Sequence, residues 1–65
     1  MYDPKALADT ETYLIDVLEH SDPRREASAY HITRAAQDFH DTSGGWDIRS
    51  ADPGTVEDVL ARHAK

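Results

Sequence analysis

The chain has 65 residues, no cysteine, and a formal net charge of −6 from thirteen acidic against seven basic side chains. That length makes one domain with a small core, and the missing thiols remove disulfides and thiolate metal sites. The acidity opposes a grip on nucleic acid or on an anionic membrane, both of which require a basic footprint. No strongly apolar run exceeds a pair such as Leu14-Ile15, far below the roughly 20 residues of a membrane span. The start MYDPKALADTE lacks the basic head and apolar stretch of a signal peptide, so a cytoplasmic location is expected.

The prolines punctuate the chain, each following an aspartate: YDPK, SDPR and ADPG. Aspartate accepts from the free N–H groups of a first turn, and proline suits the first helical position because it has no donor to leave unpaired. Asp3-Pro4 therefore predicts a first helix over about residues 4–20, with Tyr2 and Leu7 placed for a hydrophobic staple across its cap. Leu7, Leu14, Ile15 and Leu18 share one face of it at 100° per residue. Asp22-Pro23 predicts a second helix over about 23–41. Its face of Ser28, Ala29, Ile32, Ala35, Ala36 and Phe39 is small enough for close helix approach. Two residues would separate these helices, which implies an antiparallel hairpin.

Gly44-Gly45 stops the second helix. Trp46 and Ile48 then alternate with Asp47 and Arg49, as in a very short half-buried strand or an extended loop. Thr55, with Asp58 three residues on, predicts a third helix over about 55–64, carrying Val56, Val59, Leu60 and His63 on one face. The expected fold class is all-α: a small three-helix domain, with an extended Gly-Gly-Trp loop or very short strand in the interval 42–54. A core this small favours a homodimer over a monomer.

Four consecutive residues, Glu19-His20-Ser21-Asp22, carry the side-chain types of a hydrolytic triad. Neighbouring side chains at a helix end diverge by about 100° each, so they read as a helix junction and not as catalytic machinery. The Asp-Ser-Leu by which acyl carrier proteins attach their prosthetic arm does not occur there. Ser43 before the glycine pair reads more simply as part of a helix stop. His20, His40 and His63 each fall near a predicted helix end, where an imidazole faces the negative end of the helix dipole. No metal-ligand spacing such as HExxH is present, so no metal and no cofactor are expected.

What remains points to a non-catalytic, acidic protein-interaction module: a regulator, accessory subunit or inhibitor, with a basic partner suited to its charge. Candidate contact residues are Tyr30 and Arg34, one turn apart opposite the second apolar stripe, and Tyr13, which points away from the first. Tyr and Arg are enriched at interfaces. Trp46 is a core residue if buried and a contact hot spot if exposed. Glu11 lies within the first apolar face, where it either protrudes into solvent or pairs with an arginine across a self-association interface. Two alternatives are a winged-helix-like nucleic-acid binder using Arg24, Arg25 and Arg34, and a DNA mimic presenting Asp9, Asp16, Glu19, Asp38, Asp41 and Asp47.

Overall fold

A computed structural model describes residues 2–65. Its three helices are α1 (Pro4–Glu19), α2 (Ile32–Ser43) and α3 (Pro53–Arg62), joined through single 3-10 turns at Ala27–Ala29 and Ile48–Ser50. The chain is an all-α three-helix domain, and no strand occurs among the described residues.

α1 starts where the sequence predicts. Asp3 has extended backbone, and its carboxylate accepts from the N–H of Lys5 at 3.0 Å and of Ala6 at 3.5 Å, with Pro4 at the first helical position. The helix buries Thr10, Leu14 and Leu18. Ile15, expected on the inner stripe, is only half-buried, and Thr10 takes an inner position instead. A hydroxyl is tolerated there because Thr10 donates to the Ala6 carbonyl one turn back, at 2.9 Å.

The second Asp-Pro pair starts no helix. Residues 21–26 are non-helical, the Asp22-Pro23 peptide is cis, and α2 begins nine positions after Pro23, at Ile32. The reason lies in what a helix over 23–31 would bury. Those residues, PRREASAYH, include no large aliphatic side chain, and a short helix without an apolar face has little to hold it. The backbone is used elsewhere instead. The Arg25 N–H donates to the Leu18 carbonyl at 3.0 Å, closing the end of α1. Residues 29–31 pair with the C-terminus: the His31 N–H donates to the His63 carbonyl at 2.8 Å and the Lys65 N–H to the Ala29 carbonyl at 2.9 Å, around an antiparallel bridge between Tyr30 and Ala64.

α2 still runs antiparallel to α1, since Tyr2 meets Asp41 while Glu11 meets Thr33. Ala35 and Ala36 are fully buried beside Phe39, so the small stripe admits its neighbours as expected. Gly44 ends the helix at φ +79°, a left-handed conformation that favours glycine, and its N–H donates to the His40 carbonyl at 2.8 Å.

Of the short strand or extended loop expected after Gly44, no strand forms: Trp46 and Asp47 lie in a loop, and the 3-10 turn Ile48–Ser50 that follows drops Ile48 into the core at 2% exposure. α3 begins two residues earlier than expected, at Pro53. The Asp52 carbonyl, not its side chain, accepts from the N–H groups of Thr55 and Val56. Val56, Val59 and Leu60 complete the core with Leu14, Leu18, Ala35, Ala36, Phe39 and Ile48. A fully buried side chain of the larger kind contributes about 1.5–3 kcal/mol. Two side-chain ties brace α3: Arg25 reaches Glu57, and Asp38 on α2 reaches Arg62 and His63.

Candidate functional site

Three rings distant in sequence meet at one end of the domain. Tyr2, just ahead of α1, packs edge-on against His40 of α2 at 5.6 Å between centroids, and against Trp46 of the following loop at 5.9 Å. His40 and Trp46 lie 4.1 Å apart, tilted by 42°. The antiparallel course of α1 and α2 brings Tyr2 to His40, and the stop at Gly44 folds Trp46 back over the same spot. Edge-to-face pairs of this kind add about 0.5–1.5 kcal/mol beyond area burial. The Tyr2 hydroxyl donates to Asp41 at 2.8 Å, and this bond to a carboxylate pushes the phenol above its ordinary pKa. Tyr2, for which the sequence predicted only a local staple with Leu7, thus joins a non-local cluster.

Trp46 is half-buried, between the two outcomes weighed from sequence. Beside it a notch of about 120 Å³ opens between the first half of α1 and the loop, lined by Ala6, Asp9, Thr10, Trp46, Ile48 and Arg49. The Arg49 guanidinium rests over the Tyr13 ring, 5.6 Å from its centroid. Tyr13 and Trp46, both contact candidates from sequence, therefore flank the same strip of surface through Arg49. Tyr13 is not wholly outward, because part of it packs against the core.

The other candidates lie elsewhere. Tyr30 precedes α2 in extended backbone at φ −132° and packs partly against the core, so it is not one helical turn from Arg34. Arg25 lies over its ring at 6.0 Å. Arg34 is exposed on α2. Glu11 is half-buried and accepts from the Thr33 hydroxyl within the chain, where the sequence suggested either protrusion into solvent or an arginine across an interface.

Arg24 and Arg25 precede α2 by several residues instead of opening it. Arg25 forms a two-pronged contact with Glu57 at 2.7 and 3.0 Å and also donates to the Ser21 hydroxyl. Beside Glu57 its guanidinium is held above its ordinary pKa, while Glu57 is held below its own. Of the acidic residues considered for mimicry, Asp38 is bound to His63 at 3.0 Å and to Arg62, which lower its pKa, and Asp41 holds Tyr2.

The EHSD stretch makes local bonds. His20 closes α1 with Nδ1 2.8 Å from the Asp16 carbonyl oxygen, and the Ser21 hydroxyl donates to the Val17 carbonyl at 2.8 Å. A second, shallower depression of about 300 Å³ lies between Phe39, Asp47 and Thr55, with Ser43 on its wall. The Ser43 hydroxyl lies 2.7 Å from the Phe39 carbonyl and 3.1 Å from that of Gly45. Among the described residues no three His, Asp or Glu side chains are grouped to hold a metal ion, and no helix is long and apolar enough to cross a membrane.

Sequence patterning missed Tyr2, Asp9 and Arg49 as members of one surface. Their only local signals were an aromatic ahead of a cap and two ordinary charges. No known protein family, curated protein or solved structure matches this chain.

Proposed function

We propose that the chain is a non-catalytic protein-interaction module, a regulator, accessory subunit or inhibitor that binds a basic protein partner in the cytoplasm. The observation that carries this reading is the surface strip running from the Tyr2–His40–Trp46 cluster through the notch to Arg49 and Tyr13. Aromatic residues and arginine gathered at a surface, with a tryptophan only half-covered, have the composition of binding hot spots. A net charge of −6 draws basic partners by long-range attraction. The notch is well below the 300–1,000 Å³ typical of small-molecule pockets, and the open depression beside Ser43, at about 300 Å³, only reaches the lower bound, so the strip suits macromolecular contact better than an enclosed substrate. Self-association into a homodimer would supplement a core of nine buried apolar side chains among the described residues.

Affinity capture from the native host with the tagged full chain tests the reading. The expected result is a stoichiometric partner, lost when Trp46 is replaced by leucine and when salt is raised. Recovery of the chain alone, as monomer or homo-oligomer, counts against it.

A further inference from the structure

We propose that the notch beside Trp46 seats a single arginine side chain of a protein partner, with the guanidinium against the indole and Asp9. This rests on the interaction-module reading and names the chemistry that the site recognises. The fold uses the same contact twice within itself: Arg49 covers Tyr13 at 5.6 Å and Arg25 covers Tyr30 at 6.0 Å. Trp46, whose indole is the best such platform, has no guanidinium over it among the described residues.

The size of the notch points the same way. At about 120 Å³ it accommodates one side-chain end, not a peptide strand. Its uncharged lining is Ala6, Thr10, Ile48 and Trp46, of which Thr10 and Ile48 are buried. Two charged groups border it, Asp9 and Arg49, and Arg49 is drawn over Tyr13. Asp41, joined to the aromatic cluster through Tyr2, adds a second carboxylate at this end of the domain. A planar, weakly hydrated cation that stacks on a ring while offering N–H groups to a carboxylate describes arginine better than lysine. The chain's net charge of −6 disfavours a phosphate backbone here, and the like charge of a second copy disfavours that copy as the occupant of the notch.

The test uses the full chain and its sole tryptophan as reporter. A peptide alternating glycine and arginine is titrated at low ionic strength beside matched lysine and glutamate peptides. Trp46 emission and the amide resonances of Ala6–Thr10 and Trp46–Arg49 are followed. Support would be a saturable Trp46 change, strongest with arginine and absent with glutamate, with resonance shifts confined to those two segments. Asp9→Asn, at an exposed helix position that leaves the fold intact, should weaken binding roughly threefold to tenfold. Asp58→Asn, an exposed α3 carboxylate outside the notch, should leave it unchanged.

No Trp46 change, or equal weakening by Asp9→Asn and Asp58→Asn, overturns the proposal in favour of a diffuse acidic coat. A Trp46 change produced by an oligonucleotide or by raised protein concentration, and not by the arginine peptide, overturns it in favour of those occupants. A host partner captured equally well by wild type, Trp46→Leu and Asp9→Asn overturns the notch while leaving the interaction-module reading standing. Arginine-peptide binding at Trp46 with no captured partner supports the notch and removes the broader function.

Discussion

Asp3, Asp22 and Asp52 occupy the same local sequence context, each just ahead of a proline, yet their side chains have different duties. Asp3 alone accepts backbone N–H groups with its carboxylate. Asp52 stands at the start of α3 but serves it only through its carbonyl, and Asp22 is exposed in the non-helical connection. Asp3→Ala should therefore destabilise the domain by about 1 kcal/mol, the usual cost of losing an N-cap. Asp22→Ala should change stability by less than about 0.5 kcal/mol, as surface substitutions without partners do. Urea denaturation of the two variants checks both values, and equal losses would show that the Asp22 side chain has a role its surroundings do not explain.

The elements are joined by few ties, and Arg25 is the busiest of them. It links the connection between α1 and α2 to Glu57 on α3, to the Ser21 hydroxyl and to the face of Tyr30. The ion pair is partly solvated, with the two side chains 31% and 50% exposed, so its coupling is screened. A double-mutant cycle of Arg25→Met and Glu57→Gln should give a coupling of about 0.2–1 kcal/mol. Arg25→Met alone should cost more than Glu57→Gln, because the arginine also loses Ser21 and Tyr30. Thermal denaturation of the four proteins measures this, and a zero coupling would remove Glu57 from the account of how α3 is held.

Across the whole molecule, the carboxylates that brace α3 make its stability acid-sensitive. The hydrogen bond from Arg25 holds Glu57 below its ordinary 4.5, and His63 followed by Arg62 holds Asp38 below its ordinary 3.8. A carboxylate whose folded pKa is depressed adds stability above its unfolded value and loses it as the pH falls through the folded value. The stability of the domain should therefore decline from about pH 4.5 downward. The Asp38→Asn, Glu57→Gln double variant should be less stable near neutrality but show a shallower acid slope. Chemical denaturation across this range is the measurement, and parallel slopes for variant and wild type would contradict it.

Local signals by themselves determined α1, α3, the stop at Gly44 and the Ala35–Ala36–Phe39 stripe of α2. Each depends on residues within a turn or two of one another: a cap, a glycine, an apolar spacing. The all-α class followed, as did the placing of His20, His40 and His63 near helix ends. Only the tertiary structure decided what 22–31 would do. Its Asp-Pro signal matches the two that start helices, but it carries no large aliphatic side chain to bury, so pairing with residues 63–65 prevails over a helical turn. The same holds at the surface. Trp46 lies between core and solvent because Tyr2 and His40 come to it from elsewhere in the chain, and the notch beside it exists because the first half of α1 and the loop after Gly44 come together there. Such neighbours share no sequence spacing; the antiparallel path of α1 and α2 and the turn after Gly44 create them.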